Sequence, residues 1–307
     1  MEIFHISYNE IDRKKWDTCI NNSVYDSLYA TSVYLDAIAG KWSALITADY
    51  KIVMPLIYNT KAGINYLYQP AFLPMIGLFS RQQISQDIVN EFLKRIFSIF
   101  KFAEIAIAYP VNIFPLNKNM QVKLLSNYTV DLSAEYKSTA ENYHPNFKKS
   151  LRRLQKLSLQ YSTSEDVDEI MILYTKLYLK KISGLKKTAV NNFFKYCKSL
   201  KAGENIFIRK VYDSNRTLLA SVLLLRLRNR IYNIISCITA VGKKAEANYF
   251  LYDKIIEEFS GRGMVLDLEG SDIKGIADFY LKMNPKNEQY SFVKYNNLPL
   301  LLKLIKK

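Results

Sequence analysis

A chain of 307 residues, 49% hydrophobic and 13% aromatic, is globular in composition and long enough to bury the cores of two domains. Its opening, MEIFHISYNEIDRKKW, lacks an uninterrupted apolar stretch, and no later run reaches the roughly 20 apolar residues of a membrane helix, so a soluble, cytoplasmic protein is expected. The net charge of +15 is one-sided: residues 1–133 hold 12 Lys/Arg against 11 Asp/Glu, which leaves 31 against 17 in residues 134–307. Such a field suits a polyanionic partner: nucleic acid, a nucleotide-linked precursor or an anionic membrane surface. Cys19, Cys197 and Cys237 are too widely spaced for a disulfide framework or a zinc motif and are expected as buried thiols.

Taken in chain order, SALITADYKIVMPLIYN (43–59) reads as a hairpin turning near Ala48–Lys51. It is followed by the strand-like INYLYQPAFL, a helix through QDIVNEFLKRIFSIF and the strand AEIAIAYP. A boundary is expected at YTVDLSAEYKS, where alternation gives way to a helix start marked by Ser133 and Glu135. Three helical segments come next. In the first, Pro145 opens a helix with Phe147, Leu151 and Leu154 on one face and Lys148, Lys149, Arg152, Arg153 and Lys156 around the rest. The third closes the stretch 170–203, which has eight lysines and no acid.

ENIFIRKVYDSNRTLLASVLLLRL then predicts two strands around the turn signal Asp213-Ser214-Asn215, and RIYNIISCITA a third. A helix through KKAEANYFLYDKIIEEFS and the strand GMVLDLEG complete a second run of hairpin, strand, helix, strand. The expectation is an α+β chain of two similar units, 1–133 and 134–289. Residues 290–307 form a tail, ending in LPLLLKLIKK, that packs back on the fold; a membrane-surface contact is the lesser alternative for it.

Acids are concentrated in MVLDLEGSDIKGIADFYLKMNP (264–285). On a strand, Asp267 and Glu269 are two apart and share a face, which is costly unless that face opens to a cleft or meets cations. Two readings follow. The pair lines a cleft, holding an acceptor's ammonium or taking its proton; or it pairs with Arg226, Arg228 or Arg230, or caps the next helix. Asp272 and Asp278 read as helix-start and surface residues. Tyr232, Tyr249, Tyr252 and Tyr280 lie nearby in the expected order and offer hydroxyl donors or stacking rings, against a plain core role for each. His5 and His144 join no metal-ligating set, so no metal is expected.

The paired order of elements, the basic helix NFKKSLRRLQK, the segment SCITAVGKKAEANYFLYDKIIEEFSGRGMVLDLEGS and the following IADFYLKMNP resemble the FemAB-like family. These are tandem GNAT-fold transferases that move amino acids from aminoacyl-tRNA onto peptidoglycan precursors. The resemblance implies two GNAT-like units, each a mostly antiparallel sheet flanked by helices. It also implies an N-acyltransferase without a tightly bound cofactor, using aminoacyl-tRNA as co-substrate, with tRNA or a nucleotide-linked cell-wall precursor as partner. Glu269, Asp267 and Tyr280 are then the catalytic candidates. Lys148, Lys149, Arg152, Arg153, Tyr232, Lys243, Lys244, Asn248, Tyr252 and Lys282 are the candidates for substrate binding. Where the family has Phe, Lys, two variable residues and Phe-Gly, this chain has Phe279, Tyr280, Met283 and Asn284. An acyl-CoA-dependent N-acetyltransferase is the alternative enzyme, although its Gly-rich pyrophosphate turn is reduced to Gly242 in TAVGKKAEAN. A non-catalytic binder of nucleic acid or anionic glycan is the third reading.

Overall fold

The computed structural model describes the chain except residues 26, 62, 109–111, 271–272 and 300–307. Asp272 and most of the apolar-basic tail therefore lie outside the described residues. The chain divides into two compact units, residues 1–125 with the segment from 289 onward, and residues 126–288.

The first unit begins with β1 (Phe4–Ile6), α1 (Arg13–Asn21), α2 (Ser32–Ile38) and the hairpin of β2 (Ser43–Ile46) and β3 (Ile52–Leu56). The turn falls at 48–51 as the alternation predicts, with Asp49 and Tyr50 both at φ 55. The Tyr50 hydroxyl accepts the Asp12 N–H at 2.8 Å and ties this turn to the start of α1. β4 (Tyr58–Lys61), β5 (Ile64–Leu67), the short β6 (Phe79–Ser80), α3 (Gln86–Ile99), β7 (Phe102–Ile107) and β8 (Met120–Leu125) follow.

The second unit starts with β9 (Tyr128–Asp131), α4 (Tyr136–Glu141), α5 (Pro145–Leu154), β10 (Gln160–Ser164), α6 (Val167–Tyr178) and α7 (Lys187–Lys198). It continues with β11 (Ile206–Tyr212), β12 (Leu218–Leu227), β13 (Arg230–Ile238), α8 (Ala240–Lys244), α9 (Ala247–Phe259), β14 (Val265–Asp267), α10 (Lys274–Leu281) and β15 (Lys286–Asn287). The strand at YTVDLS, which the sequence reading places before its boundary, pairs here with β14. β16 (Tyr290–Asn296) then returns to the first unit.

The first unit holds a four-stranded sheet, β1-β2-β3-β6, and a five-stranded one, β4-β5-β7-β16-β8. The part of the tail at Tyr290–Asn296 is built in as a strand, with β16 antiparallel to both β7 and β8. The second unit holds one seven-stranded sheet in the order β10-β11-β12-β13-β14-β9-β15, parallel only between β13 and β14.

The near-continuous apolar run of β12 has a physical cause, because helices cover both faces of its sheet. Ala220, Val222 and Leu224 join the cluster built on α9. Leu223 and Leu225 are buried on the alternate positions, where α6 packs on β12 and β13. The β11–β12 turn is held by Asp213, whose Oδ1 accepts the N–H groups of Asn215 (2.9 Å) and Thr217 (2.8 Å). All three cysteines are buried.

An ion pair between buried Arg209 and half-buried Glu258 fastens α9 to the sheet. Glu258 accepts from Arg209 Nε at 2.7 Å and from the Tyr161 hydroxyl at 2.6 Å. Burial alone would raise this carboxyl, but the bonds from Arg209 and Tyr161 outweigh it and hold Glu258 below its ordinary range. A depressed folded-state pKa contributes stability above the unfolded value of about 4.3 and loses it as pH falls through the folded value. Glu258→Gln is therefore expected to cost about 2 kcal/mol at neutral pH and to converge on the parent at pH below both values, read by urea unfolding across that range.

Candidate active site

β13 and β14 pair over only Arg230–Tyr232 and Val265–Asp267. Beyond that, β13 continues along β12 to Ile238, while the segment after β14 turns away. The turn is made by Glu269 at φ 64, whose N–H donates to Asp267 Oδ1 at 2.9 Å. Strand alternation consequently stops at Asp267, and the expected shared strand face of Asp267 and Glu269 does not form. A residue in the left-handed region has left the pleat.

Asp267 is 4% exposed and accepts from Arg230 Nη1 at 2.7 Å and Asn127 Nδ2 at 3.1 Å. Arg230 also reaches Glu288 at 3.1 Å, and the Glu288 N–H donates to the Asn127 carbonyl at 2.7 Å. Burial raises the Asp267 carboxyl, while Arg230, the Glu269 N–H and Asn127 pull it down. Of the two readings for this acid, pairing with Arg230 is the arrangement found, and its two oxygens are occupied by structural donors.

Next to it lies a buried set of hydroxyls. The register of β12 with β13 shifts so that Leu223 faces Ile235 and Leu224 faces Asn233, which makes Ile234 the extra residue of a bulge. Asn233 Nδ2 donates to the hydroxyls of Tyr252 on α9 (2.7 Å) and Tyr280 on α10 (3.3 Å). Its Oδ1 is buried without a hydrogen-bond partner among the described residues. Burial pushes the Tyr280 phenol well above its ordinary value, and the neighbouring Tyr252 and the Glu269 charge push the same way. Tyr280 is thus a neutral hydroxyl at neutral pH, as any phenol is, with Glu269 close enough to act on it.

Lys282 at the end of α10 donates to the Tyr249 hydroxyl at 2.7 Å and stands 5.3 Å from that ring's centroid. Tyr249 packs with Phe279 and Phe147, bringing α5 against the same cluster. Tyr232 is 3% exposed and belongs to the core of β13. Asn248 is half-buried in the first turn of α9, and Asp278 is exposed on α10.

The basic candidates divide. On α5, Lys148 donates to the Glu141 carbonyl at 2.7 Å and Arg153 pairs with Glu246, whereas Lys149 and Arg152 are exposed. Lys243 and Lys244 are exposed in the last turn of the five-residue α8. The single helix expected over 243–260 is broken by Glu246, at φ 54, into α8 and α9.

Gly242 has a packing reason of its own. A Cβ there would lie 2.0 Å from the Leu219 carbonyl oxygen, so only glycine lets α8 approach β12 this closely. Its N–H is taken by Thr239 Oγ1 at 3.0 Å. The turn thus lacks one of the free amides that a pyrophosphate cradle requires.

The structure brings together Glu269, Tyr280 and Tyr252, sets Lys282 on Tyr249, places Asp267 nearby in a structural role, and adds Asn233, which sequence reasoning passed over. The available signal was a lone amide inside the apolar strand IYNIISCI, where an unbonded polar group is costly.

No protein-family model and no curated protein matches the sequence. Solved structures do. FemX superposes over 100% of both chains with a TM-score of 0.64 at 11% identity. The C-terminal domain of a putative lysylphosphatidylglycerol synthetase from Agrobacterium fabrum gives 0.57 at 14% identity, over 96% of this chain and 95% of that one. A tandem GNAT protein from the clavulanic acid biosynthesis pathway gives 0.53 at 9% identity, over 97% and 99%. The chain therefore has the tandem GNAT fold that the FemAB-like resemblance implies.

Proposed function

We propose that this chain is a Fem-type N-acyltransferase that joins an activated aminoacyl group, carried as a tRNA ester, to an amine of a cell-wall precursor. The observation that carries the reading is the set Glu269, Tyr280, Tyr252 and Asn233 at the point where β13 and β14 part, within a fold shared with FemX. The capped Gly242 amide favours a donor other than acyl-CoA.

An ester donor is already activated, so the chain must position it, take a proton from the amine and steady the oxyanion. Glu269 is assigned the proton: the amine nitrogen attacks the ester carbonyl, its proton passes to the carboxylate, and the ribose oxygen leaves with a proton as the amide forms. Tyr280, a neutral phenol beside Asn233 and Tyr252, supplies a donor to the developing oxyanion. Exposed Lys149 and Arg152 supply phosphate contacts.

The test is transfer of a labelled amino acid from charged tRNA to a nucleotide-linked muropeptide. Glu269→Gln is expected to lower kcat by about 10²–10⁴-fold with an unchanged melting temperature. Absence of transfer and of binding to either substrate at low salt, or stabilisation by acetyl-CoA instead, would sink the reading.

A further inference from the structure

A second one-sided charge stands on the α6–α7 hairpin, which packs through α6 against β12 and β13. Residues 170–203 contain eight lysines and no Asp, Glu or Arg. Two lysines are paired: Lys198 with Asp168 at 2.6 Å and Lys201 with Glu204 at 2.5 Å. The other six, Lys176, Lys180, Lys181, Lys186, Lys187 and Lys195, are exposed, and none has an acidic partner among the described residues. Ile170 and Tyr174 turn inward on α6, and the Tyr178 hydroxyl donates to the Ser236 carbonyl at 3.1 Å, so the hairpin is anchored to the sheet. Its outward stripe, at helical spacing, is Ile172, Lys176 and Lys180.

Two large apolar side chains stand in this basic surface, Ile172 at 65% exposure and Ile182, in the connection between the helices, at 45%. Lys180 and Lys181 precede Ile182, and Lys186 and Lys187 follow it. The aromatics Tyr174, Phe193, Phe194 and Tyr196 are all buried. The one ring left on the hairpin is that of Tyr178, half-buried with its hydroxyl turned to Ser236. The hairpin has no arginine fork for phosphate oxygens, so it is poor in the features by which proteins stack on and fork around nucleic acid. It offers point cations ringed around aliphatic tips, which match anionic headgroups over an acyl boundary.

We propose that the α6–α7 hairpin docks this protein peripherally on an anionic lipid bilayer, with the lysines at the headgroups and Ile182 entering the boundary. No helix among the described residues is long and apolar enough to cross the membrane, so the contact is one of surface.

Flotation of the full chain with phosphatidylcholine vesicles, with and without a third of phosphatidylglycerol, tests this without any enzymatic activity. The protein is expected to bind only the anionic vesicles and to be released by salt. Each lysine near such a surface is worth on the order of five-fold in partitioning. Replacing Lys180, Lys181, Lys186 and Lys187 together by Glu is therefore expected to reduce binding by more than about 100-fold, with thermal unfolding unchanged. Ile182→Ser is expected to weaken binding several-fold while leaving its salt dependence as it was. Equal binding to neutral vesicles, or full binding by the quadruple variant, overturns the proposal. So does a quadruple variant that loses affinity for uncharged tRNA while the parent ignores vesicles, since that assigns the surface to nucleic acid.

Discussion

Arg230→Met is expected to destabilise the second unit by about 3–5 kcal/mol, because it leaves two carboxylates without their shared cation. The side chains of Asp267 and Glu288 are 5% and 15% exposed, and the other cation near them, Lys286, reaches only Glu288, at 3.4 Å. The loss carries a pH signature. Without Arg230, burial raises the folded-state pKa of Asp267 further above its unfolded value of about 3.9. A raised folded pKa means stability that is present at low pH and lost as pH rises through it, so the variant is expected to regain stability from pH 7 toward pH 5. Arg230→Met combined with Asp267→Leu should recover much of the loss, since a buried pair replaced by apolar groups is often tolerated. Urea unfolding of the two variants across pH measures both effects. A loss below about 1 kcal/mol that ignores pH would show a solvent-screened pair instead.

The second large effect is expected at Gly242. An alanine Cβ there meets backbone, Leu219 O at 2.0 Å and Leu219 C at 2.7 Å, so neither a rotamer change nor a small side-chain shift relieves the clash. Gly242→Ala should cost about 3 kcal/mol, at the upper end for overpacking. Lys243→Ala and Lys244→Ala, on exposed positions of the same helix, should stay within about 0.5 kcal/mol. Thermal unfolding of the three variants separates a packing glycine from a ligand-binding one. If Gly242→Ala melts with the parent while losing substrate affinity, the glycine belongs to a binding turn.

Local periodicity carried much of the fold. The turn at 48–51, the Asp213 turn and the run of β11, β12 and β13 could be read because side-chain alternation and turn chemistry are short-range. Pairing between distant segments could not. YTVDLS reads as a strand, but nothing within it tells that it lies between β14 and β15.

At the candidate site, the period-two reading of Asp267 and Glu269 failed at one backbone angle. Glu269 takes φ 64 because Asp267 caps its N–H, a local bond that competes with continued strand. Arg230 could be named among possible partners, since the Asp267 charge demands one. Asn127 and Glu288 could not be anticipated: they meet Asp267 and Arg230 through a sheet order with no trace in either segment. The αL break at Glu246 was hidden by helix-favouring residues on both sides.

The position of β16 bears on how the chain is made. Val293 pairs with Ile105 on one side and Val122 on the other, so the final strand enters between two strands synthesised long before it. Until the ribosome has passed the whole second unit, β7 and β8 lack the strand that joins them and present open backbone edges. Such edges are templates for association with other chains. The second unit is continuous from 126 to 288, but its first strand waits as well, since β9 pairs with β14 and β15 near that unit's end. Both units thus close late, and the first-made unit closes last, by a long-range insertion of the kind that slows folding and calls for protection during synthesis.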